Sequence, residues 1–294
     1  MKMDTEYFFC GQCGHLNGGH EDTDAFCDFV YTQAGGQQYG ATYSAETEVQ
    51  YRRRLSDIYA PKAEFLFAAL AEYGEEPLDL HYGDLGAGSG YFVGALLNAG
   101  AKGVRGYEVS EVQVRLGNAM LGGEWLTSHD LADTAGIASR LETEVVSLIG
   151  VLEHIQQSAE VLAALARNDR VRYLYLSVPL ASPCIFFEMA FPQIMPRQLV
   201  AGHTHLYTDQ SLDWMCAAHG FERVAEWWFG TDLVDLYRSV LVTLEQSPRL
   251  AGAASRWDVL WRPAIDDLQL ALDQRHLSSE VHLLLRKKQG EARL

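Results

Sequence analysis

Asp84, Gly86, Gly88 and Gly90 stand at alternate positions in the run Asp84-Leu85-Gly86-Ala87-Gly88-Ser89-Gly90-Tyr91, and a second acid, Glu108, follows further along the chain. Residues of these types at this spacing can hold a ligand with main chain and carboxylates together. Glycine turns the backbone at φ > 0 and leaves no Cβ in the way of a ligand. The unpaired N–H groups at the start of a following helix then face whatever lies in the turn. A carboxylate beside such a turn repels a pyrophosphate but accepts hydrogen bonds from hydroxyl and amino groups. Further on, Glu153, His154 and His205 supply side chains able to take a proton from a hydroxyl or an enolisable carbon near neutral pH.

Strands and helices in alternation position these groups. Leu78–Gly83 is short and partly alternating, as a strand, and Phe92–Ala99 carries an apolar helical period closed by Gly100. Val104–Glu108 reads as a second strand. Ser110 caps a helix with Glu111 in its first turn. Glu124–Thr127 is the best candidate for a third strand. Residues 144–150 form a buried strand, and Val171–Val178 another that Pro179 ends. Thr208 caps a helix over Asp209–His219, and Phe221–Phe229 and Val281–Leu285 are the last two strands, separated by an insertion over 231–279. This order predicts an α/β, Rossmann-like, seven-stranded sheet with helices on both faces. The expected layout is an N-terminal segment over 1–38, a helical cap over 39–76 and a main domain over 77–294, with a helical insertion before the last strand.

The glycine spacing distinguishes between two ligand classes. A dinucleotide fingerprint needs a glycine at 89 or 91, where Ser89 and Tyr91 stand. The pattern D-x-G-x-G-x-G favours S-adenosylmethionine instead. Asp84 can hydrogen-bond around its amino-acid end, directly or through water, and Glu108 can accept from both ribose hydroxyls. Together with Val145-Val146-Ser147-Leu148-Ile149-Gly150-Val151-Leu152-Glu153-His154-Ile155, these motifs resemble the class I S-adenosylmethionine-dependent methyltransferases of the Leu-Glu-His group, over roughly residues 40–230. The resemblance implies a cofactor site of Asp84, Gly86, Ala87, Gly88, Gly90, Glu108, Val109, Asp130, Ile149 and Gly150. Asp130 would receive the adenine amino group, and Ile149 and Gly150 the methionine part.

The resemblance also implies that Glu153 and His154 emerge beside the transferable methyl, with His205 just before the late helix. In some relatives a Glu-x-x-Glu-His segment and a later histidine bind a divalent cation. Gly150 replaces the first acid here, which favours His154 as a base, and the expected catalytic set is His154, His205 and Glu153. Alternating residues of an extended chain face opposite ways, so His203 and His205 should not share a site, and His203 reads as exposed. The aromatic, proline-interrupted segment within 182–207 reads as a substrate lid or a contact in a homo-oligomer, and Trp227, Trp228 and Asp232 as walls of an acceptor pocket or as core.

Near the start, Cys10-Gly11-Gln12-Cys13-Gly14-His15 can aim two thiolates at one ion, with Cys27 as a third ligand and His15 or His20 as the fourth for zinc. This part looks like the second knuckle in the zinc module of nucleotide-sugar C-methyltransferases, although no cysteine precedes Cys10; a metal-free turn is the alternative. Between them, Tyr39–Tyr73 reads as helical, with Pro61 dividing two helices and Arg52, Arg53 and Arg54 on a solvated face.

Composition narrows the partners. The 294 residues carry 23 Lys and Arg against 39 Asp and Glu, a net charge of −16, which opposes nucleic acid and anionic membrane. Five cysteines without a visible signal peptide suggest the cytoplasm. The expected function is methyl transfer from S-adenosylmethionine to a small-molecule or carbohydrate-type acceptor: a sugar, nucleotide sugar or glycan precursor. A catalytically silent binding subunit is the alternative, and an NAD-dependent oxidoreductase a more distant one.

Overall fold

A computed structural model of the chain describes residues 6–19, 31, 47–155, 157–194, 196–199 and 203–288. Two short strands come first, β1 (Tyr7–Phe9) and β2 (Leu16–Gly18), joined through the cysteine turn. Helix α1 (Glu48–Arg54) starts at a capping box in which Thr47 accepts from Gln50 N. It runs through a single π-helical turn, Leu55–Tyr59, into α2 (Ala60–Glu72). Here the structure differs from the sequence expectation: Pro61 does not separate two helices. It lies in the first turn of α2, where its missing N–H costs little, and the wider π turn before it takes up the register.

The order then alternates: β3 (His81–Leu85), α3 (Tyr91–Asn98), β4 (Gly103–Glu108), α4 (Glu111–Leu121), β5 (Leu126–Ser128), α5 (Thr134–Arg140), β6 (Val145–Ile149), α6 (Ser158–Arg167), β7 (Tyr173–Pro179) and α7 (Pro183–Ala190). After β8 (His205–Leu206) and α8 (Asp209–Ala218) comes β9 (Phe221–Phe229), then three helices, α9 (Asp232–Glu245), α10 (Ala251–Trp261) and α11 (Ile265–Asp273), and β10 (Glu280–Lys287) closes the fold.

Seven strands form one sheet in the order β5-β4-β3-β6-β7-β10-β9. The strands from β5 to β7 run parallel, and β10 slots antiparallel between β7 and β9. A parallel sheet is covered on both faces, so its strands read as continuous apolar runs; every residue of β7 is buried. Val146 and Leu148 of β6 face one layer, with Leu162 and Leu165 of α6. Val145 and Ile149 face the other, with Leu66 and Leu70 of α2 and Phe92 and Leu96 of α3. The chain reverses its direction of travel across the sheet between β3 and β6, and open sheets of this kind bind ligands outside the carboxyl ends of the strands at that switch.

The sequence expectation starts β5 slightly early: pairing with β4 begins at Leu126, with Trp125 O accepting from Gly106 N, and Asn118 Oδ1 accepts from Trp125 N and Leu126 N. A second sheet, β1-β2-β8, attaches the N-terminal segment beside the switch. Among the described residues no helix is long and apolar enough to cross a membrane.

Candidate active site

The turn after β3 shows why glycine is needed there. Gly86 has φ 73°, and a Cβ on it would lie 2.5 Å from Val151 Cγ2. Gly90 has φ 76° and opens α3, where a Cβ would press against Leu121 and Leu126 at 3.0 Å. Tyr51 fixes the turn from above, donating its hydroxyl to Ser89 O at 2.8 Å, and Tyr51 and Tyr59 both stack on Tyr91. Tyr59 and Tyr91 line the cleft. The sequence reading passed over this aromatic stack, since tyrosines at helical spacing look like ordinary core.

Glu108, at the end of β4, is buried and accepts from Gly88 N at 2.8 Å and from Ser110 N at 2.9 Å. Its carboxylate is thereby held against the glycine turn, with lone pairs left for a diol. Asp84, at the end of β3, accepts from Ser147 Oγ at 2.5 Å. Burial pushes its carboxyl up to about 7, against the pull of the Ser147 hydrogen bond.

A cleft of about 1350 Å³ opens over these groups. Asp84, Gly86, Ala87, Gly88, Glu108, Val109, Asp130, Ile149 and Gly150 all line it, whereas Gly90, the cap of α3, does not. Its volume exceeds the ~300–1,000 Å³ typical of a single small-molecule site, leaving room for a cofactor and an acceptor together.

His154 also lines the cleft, on a single 3₁₀ turn after β6. Its Nδ1 lies 3.4 Å from the Tyr31 hydroxyl and its Nε2 4.0 Å from Glu153 Oε1. Glu153 is buried, and its Oε2 has no hydrogen-bond partner among the described residues. Burial raises its carboxyl to about 8, so it keeps its proton at neutral pH.

The histidine that joins them is His203, where the sequence argument expected His205. The alternation argument itself holds, but the two residues were assigned to the wrong sides. The His203 ring lies 5.1 Å from that of His154, and its Nδ1 meets Gln198 O at 2.9 Å, which leaves Nε2 as its other ring nitrogen. Thr204 donates from both N and Oγ1 to Glu153 O, locking the two segments together. Glu153, His154 and His203 each bring one ligand atom within 4.8 Å of the others, a set that could also hold a metal ion.

His205 turns away, with its Nδ1 3.3 Å from His15 Nε2, while His15 Nδ1 lies 3.2 Å from Ser211 Oγ. His15 is thus engaged with β8 and α8. His20 and Cys27 lie outside the described residues. Cys10 and Cys13 are free thiols on a tight turn closed by Gly14 N donating to Cys10 O, and backbone hydrogen bonds from Cys13 and Gln12 lower the Cys10 thiol. Two thiols fall short of the four ligands zinc takes, so the described residues do not complete that site.

Trp227, Trp228 and Asp232 take the core role. Trp228 stacks on His276, Trp227 packs beside His282, and Asp232 accepts from Ser182 Oγ, Cys184 N and Ser279 N. Arg52 and Arg53 pair on the surface with Glu48 and Asp57.

The buried groups give the fold a pH signature. His15 and His203 are lowered to about 4 by burial, so their contribution to stability grows from pH 4 and is complete above 6.5. Asp84 and Glu153 are raised to about 7 and about 8, so the folded state binds more protons than the unfolded chain until they ionise. Between pH 6.5 and 8 these two acids ionise in the folded state, and the unfolding free energy is expected to fall by about 2 kcal/mol. Urea denaturation across this range checks it; a flat or rising curve would contradict the burial of these carboxyls.

With the geometry in place, the comparisons with known proteins agree with it. The methyltransferase-domain family matches residues 51–226, more than half the chain, and the chain belongs to that family. Glycine turn, Glu108 and sheet order together define a class I S-adenosylmethionine-dependent methyltransferase. Magnesium protoporphyrin IX methyltransferase from Synechocystis PCC 6803, crystallised with S-adenosylhomocysteine, is similar at a TM-score of 0.54 and 16% identity, over 91% of this chain and 100% of that one. A Galdieria sulphuraria protein, provisionally assigned as a sarcosine dimethylglycine methyltransferase, is similar at 0.51 and 16%, over 78% and 86%. Both are likenesses of fold. No curated protein matches the chain by sequence.

Proposed function

We propose that this enzyme moves the methyl group of S-adenosylmethionine to a small polar acceptor of carbohydrate type, with His154 as the base. The convergence of Glu153 and His203 on His154, which lines the cleft, carries this reading. When bound, the cofactor supplies an activated methyl on a sulfonium, so the protein's own task is alignment and proton removal.

Glu108 would take the ribose diol and Asp84 the amino-acid end, while the Tyr51–Tyr91–Tyr59 stack holds the turn rigid. A hydroxyl, amine or acidic C–H of the acceptor gives its proton to His154. Glu153 keeps its own proton at neutral pH, so it puts no negative charge beside the imidazole. His203, with Nδ1 fixed on Gln198 O, offers Nε2 to orient the acceptor. The N-terminal resemblance to nucleotide-sugar C-methyltransferases and the imidazole and phenol groups of the cleft favour sugars, nucleotide sugars or glycan precursors.

A labelled-methyl assay over sugars, nucleotide sugars and small amines tests the acceptor class, and label is expected on the carbohydrate set. The rate is expected to persist in EDTA. Loss of rate restored by Mn²⁺ would turn Glu153, His154 and His203 from proton handlers into metal ligands, and label on amines alone would exclude the carbohydrate reading.

A further inference from the structure

Helix α7 carries a single acid, and it is buried. Glu188 stands in the last turn of α7 with only 6% of its surface exposed. Ile185, three residues earlier, packs in an apolar cluster with Leu16, Leu199 and Leu206. A carboxylate at that end of a helix opposes the helix dipole, and taking it out of water is costly unless hydrogen bonds replace the lost solvent. Three main-chain donors do so here. Oε1 accepts from Arg197 N at 2.6 Å and from Gln198 N at 2.8 Å, and Oε2 accepts from Leu199 N at 2.8 Å. An apolar residue at 188 would avoid burying a carboxylate, but it would leave these three donors without their acceptor.

The main chain held in this way leads to His203. Gln198, whose N–H is tied to Glu188, presents its carbonyl to His203 Nδ1 at 2.9 Å. A carbonyl only accepts, so Nδ1 carries the proton, and in the neutral ring Nε2 keeps its lone pair. The ring fixed by this bond is the one that lies 5.1 Å from His154. Two different sets of contacts therefore hold His203. Its main chain is set by the Tyr7 hydroxyl, which donates to His203 O at 3.1 Å, and by Thr204, which donates to Glu153 O. Its ring is set by the Gln198 carbonyl. The side chains of Arg197 and Gln198 are anchored elsewhere, on Asp235 of α9 at 2.9 Å and on Ser279 O at 3.2 Å, which leaves the Glu188 carboxylate to gather the main chain between them.

Resting on the functional reading above, we propose that Glu188 is a positioning residue for methyl transfer: by gathering the N–H groups of Arg197, Gln198 and Leu199, it places the Gln198 carbonyl that holds the His203 ring beside His154. Glu188 does not line the cleft. It acts at two removes, through one carbonyl and one imidazole. A ring released from Gln198 can carry its proton on either nitrogen and turn about its side-chain bonds, and a misplacement of about 1 Å in a group that orients a substrate can cost about 10²-fold in rate.

Nitrogen-15 NMR of the full chain labelled at histidine, near neutral pH, reads the tautomer, with His203 identified by the signals missing in His203→Asn. Wild type is expected to show the Nδ1–H form at His203. Glu188→Ala should shift that ring to a mixture of tautomers and slow methyl transfer by about tenfold, no more than His203→Ala does, with S-adenosylhomocysteine binding within about threefold of wild type. Glu188→Gln keeps one oxygen for Arg197 and Gln198 and loses the bond from Leu199; it should move both readouts the same way by less, and it serves if the alanine variant does not fold. The losses should not add, so the double variant of Glu188→Ala and His203→Ala should be no slower than His203→Ala alone. A merely structural role would slow the double variant by the product of the two single losses. That product, an unmoved tautomer in the Glu188 variants, or a moved tautomer with the wild-type rate overturns the proposal. If wild type transfers no methyl group, the functional reading fails and this assignment falls with it.

Discussion

Glu108→Ala is expected to weaken S-adenosylhomocysteine binding by about 10²–10³-fold, the largest effect of any single change at the cofactor end. Several losses coincide at this position. The carboxylate that would accept the ribose diol disappears, and with it a pair of charge-assisted hydrogen bonds at about 1.5–3 kcal/mol each. The Gly88 N–H and Ser110 N–H, which Glu108 now satisfies, are left without their acceptor. Gly88 lies in the turn itself, so the cradle should loosen as well. Glu108→Gln keeps the shape and one acceptor oxygen and should cost less, roughly tenfold, a neutral acceptor being the weaker partner. Calorimetry at fixed pH checks both, and equal affinities for wild type and Glu108→Ala would remove Glu108 from the cofactor site.

His154→Ala is expected to lower the rate of methyl transfer by about 10²–10⁴-fold, the usual contribution of a positioned base, while leaving cofactor affinity within about threefold. The split follows from where the side chain stands. His154 lines the cleft on the 3₁₀ turn beyond β6, whereas the groups assigned to the ribose and amino-acid end come from the ends of β4 and β3. His203→Ala should give a smaller loss of rate, because His203 orients without taking the proton. His205→Ala should leave the rate near wild type, since its ring faces His15. Single-turnover rates alongside calorimetry separate chemistry from binding. An unchanged rate in His154→Ala would take it out of the mechanism, and a loss in His205→Ala equal to that in His203→Ala would contradict the observed orientation.

Much of the framework is legible in the residues because it depends on local backbone chemistry. Gly86 and Gly90 stand where φ is positive and a Cβ would collide, and such demands are written at single positions. The apolar runs of β6 and β7 announce a sheet covered on both faces. Asp84 and Glu108 stand at strand ends, where sequence spacing alone sets their place relative to the turn.

What escaped depends on long-range pairing. Alternation in His203-Thr204-His205 says that the two rings diverge, but only the attachment of β8 to β2 and of Thr204 to the 3₁₀ turn decides which ring meets His154. The partners of His15, read as a zinc ligand because cysteines adjoin it, lie some 190 residues away in the chain. Glu188 sits in an aromatic helix, and nothing local marks its carboxylate as the acceptor for Arg197, Gln198 and Leu199; that follows from the way the chain folds back on α7. Pro61 misled for a different reason, since a π turn can carry a helix up to a proline without a break.

The central claim is that this cleft transfers a methyl group, and a stoichiometric labelling measurement tests it most directly. Purified wild-type chain with methyl-labelled S-adenosylmethionine and the carbohydrate acceptor set should form one S-adenosylhomocysteine per labelled product, with the rate collapsing in His154→Ala and Glu108→Ala. Cofactor binding without transfer of label to any acceptor, or cofactor turnover that both variants sustain at the wild-type rate, would contradict the account.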